Sequence, residues 1–179
     1  LGIFSMSATG IQGAIIQMVN HGLSTGMLFI MVGILYERRH TREISEFGGI
    51  ARVMPAYATM FAVAMLASVG LPGLNGFVGE YLTLLGAFQS EFLNSYWFTI
   101  IGATGVIFAA VYLLWMFQRV FYGTIDNSAN KNLKDLNPRE WAMVIPIVIF
   151  IVCIGVYPNT FLEKSANYTD RLVRKVELM

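Results

Sequence analysis

Gly70-Leu71-Pro72-Gly73-Leu74-Asn75-Gly76-Phe77-Val78-Gly79-Glu80 interrupts an apolar stretch whose only formal charge between Arg52 and Glu91 is Glu80. From Pro55 to Gln89 the stretch is 35 residues long, about 52 Å if it were one helix rising 1.5 Å per residue. That is too long for one straight crossing of a bilayer, and it leaves no room for a polar turn between two. Gly70, Gly73, Gly76 and Gly79 recur at every third position, with Pro72 and Asn75 among them. Proline removes a helical donor and clashes with the preceding turn, and glycine weakens helix propagation. The reading is two half-helices, about 55–70 and 77–89, joined by an extended segment and broken near 71–76. Unwound backbone at membrane depth survives only where it is buried in protein or lines a hydrated cavity, and broken helices of this kind hold ion and substrate sites in transporters. A kink that serves packing alone is the competing reading, and Glu80 weighs against it.

The rest of the chain has the same character. The 179 residues are 56% hydrophobic and 13% charged, with 13 Phe, 8 Tyr and 10 Met. No Lys, Arg, Asp or Glu occurs in 1–36, in 53–90 apart from Glu80, in 92–118 or in 141–162. Each run reaches the roughly 20 apolar residues that cross about 30 Å of hydrocarbon as a helix, and the runs are too continuous for the alternating strands of a membrane barrel. The fold class read from this is an all-α polytopic membrane protein. Its membrane domain is 1–158, with four spans at about 11–36, 55–89 (discontinuous), 96–118 and 141–157; a polar tail, 159–179, follows.

Charge sets the orientation. Arg38, Arg39, Arg42 and Arg52 lie in the 37–54 loop, and Arg119, Lys131, Lys134 and Arg139 in the 119–140 loop, while the 91–95 loop has no Lys or Arg. The positive-inside rule puts the two basic loops together on the cytoplasmic or mitochondrial-matrix side. The tail then lies opposite, a mild violation given Lys164, Arg171, Arg174 and Lys175. A net charge of +1 gives no indication of a nucleic-acid partner. Cys153 is a lone cysteine inside the last span, which excludes a disulfide framework and Cys-based metal or iron–sulfur ligation. The chain starts at Leu1 in an apolar run without an initiator Met, and its simplest account is a fragment, or the later part, of a longer protein.

Local signals fill in the elements. Residues 1–6 read as the end of a preceding helix and Ser7-Ala8-Thr9-Gly10 as its connection. Gly22-x-x-x-Gly26, with Ser24 and Thr25, offers a small polar face for close helix approach. Tyr96, Trp97 and Trp115 suit the interfacial aromatic belts. Asn137-Pro138-Arg139-Glu140 reads as a helix start, with Asn137 as cap and Pro138 in the first turn.

Glu80 is the principal site candidate. Desolvation favours its neutral acid, whereas the positive end of the half-helix and any hydration favour the carboxylate. A group balanced between the two can take up and release a proton, as a relay requires. His21, near mid-membrane in the first span, is the second candidate, because imidazole exchanges protons most readily near neutral pH. Each has a purely structural alternative: a buried Glu held in an ion pair with a helix outside this sequence, and a satisfied buried His. Gln17, Asn20 and Ser24 share the neighbourhood of His21, Thr25 sits on an adjacent face, and Thr83, three residues after Glu80, is expected to face the same side as Glu80 and could hold a water. The helix break itself comprises Gly70, Pro72, Gly73, Asn75, Gly76 and Gly79. There is no Gly-rich phosphate loop, no metal-ligand spacing and no Ser/His/Asp set, so redox or hydrolytic chemistry would have to come from partner subunits.

Met18-Val19-Asn20-His21-Gly22-Leu23-Ser24-Thr25-Gly26, Leu35-Tyr36-Glu37-Arg38-Arg39-His40-Thr41-Arg42 and the Gly70–Glu80 segment closely resemble the antiporter-like proton-channel subunits of respiratory complex I (NADH:quinone oxidoreductase), in particular the subunit M or NADH dehydrogenase subunit 4 family. The likeness covers nearly the whole chain and fades after Pro158. It implies the last four helices of a fourteen-helix fold built from two inverted five-helix repeats. It also implies that Glu80 is the carboxylate of the family's broken helix, at the end of a half-channel opening away from the cytoplasm, and that His21 carries protons along the central polar axis. The family's buried lysines lie upstream of this sequence, so this piece would not move protons alone. Glu rather than Lys at position 80 favours subunit M over its sister subunits. A multisubunit cation/proton antiporter or a membrane-bound hydrogenase subunit is the alternative. The resemblance implies membrane-arm subunits of the complex, lipid, protons and water as partners. It places flavin, iron–sulfur clusters and quinone in partner subunits, with no cofactor or metal in this chain, and it puts the chain in a bacterial inner membrane, with the mitochondrial inner membrane as the other setting.

Overall fold

The computed structural model describes residues 1–177 and is all-helical. After a single 3₁₀ turn at Ile3–Ser5 the first long helix, α1, runs Ala8–Arg39. Its 32 residues make about 48 Å, and Ser7 caps it by accepting from the Gly10 N–H. A one-turn helix, α2 (Ile50–Val53), leads into α3 (Pro55–Val69) and then α4 (Asn75–Phe88). These two have 15 and 14 residues, about 22 Å and 21 Å, so neither crosses a bilayer and together they cross once. α5 (Trp97–Phe121) and α6 (Pro138–Val156) complete the spans, and α1, α5 and α6 are each long and apolar enough to cross a membrane.

The start of α6 follows the sequence signal closely. Asn137 and Glu140 form a reciprocal capping box, with Glu140 N–H donating to Asn137 Oδ1 at 2.9 Å and Asn137 N–H to Glu140 Oε2 at 2.8 Å. The same Glu140 oxygen accepts from Arg38 Nη2 at 2.8 Å, tying the end of α1 to the start of α6. Arg38 also donates to the carbonyls of Lys134 and Asp135. The Asp135 carboxylate caps α3 from outside its own segment, accepting from the N–H groups of Ala56 and Tyr57, both at 2.9 Å. The two basic loops therefore meet at one end of the bundle. There Gly49 N–H bonds Tyr122 O, and Asn130 bonds the Glu46 carbonyl.

Toward that end lies the main core, in which Met27 and Met31 of α1, Tyr57 and Phe61 of α3 and Phe117 and Phe121 of α5 are buried together. The Phe61–Phe121 and Phe117–Phe121 ring centroids are 4.8 and 4.4 Å apart, and the Tyr57 hydroxyl donates to Met31 O at 2.7 Å. The N-terminal half of α5 touches the bundle along one side, where Gly102 lies against Leu1 and Leu84, and presents its other faces outward. Ile101 and Phe108 are 66% and 67% exposed, a surface that suits hydrocarbon and not water.

Residues 159–177, set apart in sequence as a polar tail, contain a helix, α7 (Asn159–Glu177). Phe161 and Leu162 join a small core with Ile16, Val78 and Ile154, and Gln12 Nε2 donates to Thr169 Oγ1 at 3.2 Å. Lys164, Arg171 and Arg174 are exposed. One face of α7 is therefore apolar or small and packs on α1, while the charges that dominate its composition point outward.

Candidate functional site: a helix break folded around Glu80

The break occupies residues 70–74 and is compact rather than extended. α3 closes in a Schellman arrangement, with Gly70 at φ 82° and Leu71 N–H bonded to Leu66 O at 3.0 Å. A β-turn follows at once, with Leu74 N–H bonded to Leu71 O at 3.0 Å and Gly73 at φ 92°. Proline at the second corner and a positive-φ glycine at the third are what such a turn requires. Two successive turns satisfy backbone groups that an extended linker would leave bare, so α4 starts at Asn75, two residues earlier than the spacing predicted.

Tight packing surrounds the break. A Cβ at Gly76 would strike the carbonyl oxygen of Ala67, so the first turn of α4 lies against the last turn of α3. A Cβ at Gly79 would strike Gln17 Oε1, and one at Gly155 of α6 would strike the carbonyl of Gly73. α1, α3 and α6 thus all abut this segment, each at a residue without a side chain.

Glu80 is half-buried, and its carboxylate turns back to cover Gly70, where a Cβ would collide with Oε2 and lie 3.1 Å from Cδ. Among the described residues it makes no hydrogen bond and no ion pair, so the ion-pair partner of the structural alternative would have to come from outside them. Glu80 and Gly76 are four residues apart and share the face toward α3. Thr83 lies about 60° round the helix from Glu80 and packs instead against Gly13 of α1 and Gly2.

His21 is exposed on the outer face of α1 and shares a hydrogen bond with Thr25 (Nδ1···Oγ1 3.1 Å). It lines an open groove of roughly 350 Å³ with Gln17, Met18, Thr83 and the Leu1–Phe4 segment. Glu80 is not among the lining residues. Asn20 is fully buried on the other side, where its amide donates to Asn75 O at 2.6 Å, while the Asn75 amide donates to Asn20 O at 3.2 Å. Ser24 also bonds Asn20 O, at 3.0 Å. The structure therefore divides the sequence candidates into three groups: Gln17, His21 and Thr83 lining the groove, with Thr25 bonded to His21; Asn20, Ser24 and Asn75 in the α1–α4 seam; and Glu80 over the break. Gln17 Oε1, Thr83 Oγ1 and the Oδ1 atoms of Asn20 and Asn75 are buried without a partner among the described residues.

Gly22 and Gly26, expected to receive a neighbouring helix, have nothing within 4 Å of an added Cβ. The close seam is formed elsewhere, where Gly10 backs directly onto Gly86. The seven-residue spacing of Gly79 and Gly86, two turns along one face of α4, was the signal in the sequence. The Gly155 contact left no local signal.

The family model described as NADH:quinone oxidoreductase/Mrp antiporter, transmembrane, matches residues 1–109, which include α1, both half-helices and the break. The chain belongs to this family. It is 45% identical over 174 residues to NADH-quinone oxidoreductase subunit M of Rhodobacter capsulatus, covering 97% of this chain and 33% of that protein. Against subunit M of Rickettsia prowazekii it is 43% identical, covering 98% and 35%. Against NADH-ubiquinone oxidoreductase chain 4 of Marchantia polymorpha it is 38% identical, covering 97% and 34%. The chain thus spans about a third of the length of the curated relatives it matches. Its backbone also matches a chain of respiratory complex I from Thermus thermophilus with bound NADH, with a TM-score of 0.86 and 36% identity over 96% of this chain and 36% of that one. The expected antiporter-like subunit fold, with its discontinuous helix, is the fold observed, and the chain is an integral membrane protein of this family.

Proposed function

We propose that this chain is part of a proton-translocating membrane subunit of NADH:quinone oxidoreductase, in which quinone reduction elsewhere in the complex drives proton transfer through Glu80 and His21. The observation that carries the reading is a carboxylate at the junction of two half-helices, covering Gly70 and without an ion-pair partner among the described residues. Such a group can alternate between the neutral acid, favoured by desolvation, and the carboxylate, favoured by water. His21 would exchange protons with the rest of the polar axis from the open face of α1, with Gln17, Thr25 and Thr83 holding water beside it. Ser24 would support the same helix from the seam. Flavin, iron–sulfur clusters and quinone belong to partner subunits in this reading, and the contribution of this chain is to hold and move protons. The basic loops would face the cytoplasm of a bacterium, with Glu80 serving the opposite side. The subunit M names of the Rhodobacter and Rickettsia relatives support an oxidoreductase over the cation/proton antiporters of the same family.

The test is Glu80→Gln in the full-length subunit within its assembled complex, reading protons translocated per NADH oxidised. The expected result is strongly reduced translocation with normal assembly. An unchanged ratio in normally assembled complex would sink the role of Glu80.

A further inference from the structure

Asn20 and Asn75 are both 0% exposed, and each donates its side-chain amide to the main-chain carbonyl of the other, at 2.6 and 3.2 Å. Carbonyls only accept, so the orientation of both amides is determined. Asn75 breaks a local rule by sitting here. Asparagine stabilises a helix start best at the cap, through its own oxygen. In α4 the cap is Leu74, which makes no side-chain cap bond, and Asn75 stands one residue further in, with its amide committed to α1. Both Oδ1 atoms remain buried without a partner among the described residues, which carries a desolvation cost that an apolar pair would avoid. A buried polar pair retained against that cost is best attested as a device for registry.

From this geometry we infer that Asn20 and Asn75 are positioning residues, a reciprocal clamp that holds the first turn of the broken helix in register with the helix carrying His21. The inference rests on the proton-relay reading and deepens it. Asn20 is the immediate neighbour of His21, and Asn75 lies five residues before Glu80 on the same short helix. Ser24, bonded to the same Asn20 carbonyl, holds the α1 side of the clamp. On the α4 side, the first turn also packs through Gly76 on Ala67 and through Gly79 on Gln17, but those are non-directional contacts at glycines. Among the described residues the two amides are the side-chain hydrogen bonds that tie this turn to α1. Releasing the amides would let Glu80 turn relative to Gly70 and to α1, and a displacement of about 1 Å at a reacting group can cost up to about a hundredfold in rate.

The experiment uses the full-length subunit in its assembled complex, with Asn20→Ala, Asn75→Ala, the double variant and Glu80→Gln side by side. Proton translocation per NADH and its pH profile are read per assembled complex. Each single alanine variant should lower translocation by about tenfold or more and shift the pH profile, and the double should be no worse than the poorer single, because the two act as one unit. Should an alanine variant not assemble, Asn75→Gln, which keeps the amide but displaces it by one methylene, is read for the same two changes. An unchanged ratio and profile, or additive losses in the double, would overturn the clamp. If Glu80→Gln is impaired while the Asn variants are normal, the clamp alone falls. If Glu80→Gln is normal, the relay reading falls instead.

Discussion

Gly70→Ala and Gly73→Ala form a matched pair that separates backbone strain from displacement of Glu80. Both glycines have positive φ, 82° and 92°, so each alanine costs about 1–2 kcal/mol for a left-handed backbone. Their surroundings differ. A Cβ at Gly73 meets nothing within 4 Å, whereas one at Gly70 lies 3.1 Å from the Glu80 carboxyl carbon and closer still to Oε2. Carbon contacts relax near about 3.5–4.0 Å, so the carboxylate must retreat by about half an ångström at carbon and about 1 Å at the nearer oxygen. Thermal unfolding of purified protein in detergent should register a similar loss for both variants. Proton translocation per assembled complex should fall by about tenfold or more for Gly70→Ala and stay within about twofold of the parent for Gly73→Ala. Equal translocation by the two variants would refute the argument that the seat of Glu80 on Gly70 matters to its work.

Three further substitutions test the packing. Arg38→Ala leaves the Glu140 carboxylate, its side chain 6% exposed, without its cation, and removes the donors to the Lys134 and Asp135 carbonyls. It should destabilise the bundle by about 3 kcal/mol in detergent unfolding, and a loss below about 1 kcal/mol, the scale of a surface pair, would show the network to be slack. Gly86→Ala drives a Cβ into the backbone of Gly10 and should cost about 1–3 kcal/mol as overpacking. Gly105→Ala on α5, with open space around it, should be neutral or stabilising by up to about 1 kcal/mol through helix propensity. The reverse order in a thermal scan would count against the Gly10–Gly86 seam.

The number of spans, the broken helix, Asn137 as a helix cap and the grouping of the two basic loops at one end were legible in the sequence, because apolar run length, glycine and proline placement, cap chemistry and loop charge are all read along the chain. Hydrocarbon thickness converts directly into the length of an apolar run. Pro72 and the glycines act on their own turns, and Asn137 bonds a residue three positions away. Which side chains meet across helices depends instead on how each helix is rotated about its axis, about 100° per residue, and on which neighbour it lies against. Only the tertiary structure therefore decided that Glu80 covers Gly70 while Thr83 turns to α1, that Asn20 clamps Asn75 instead of lining the groove with His21, and that Gly10 and Gly86 rather than Gly22 and Gly26 form the seam within this chain. The same holds for α7, whose charged composition read as a tail until α1 supplied the surface on which its apolar face is buried.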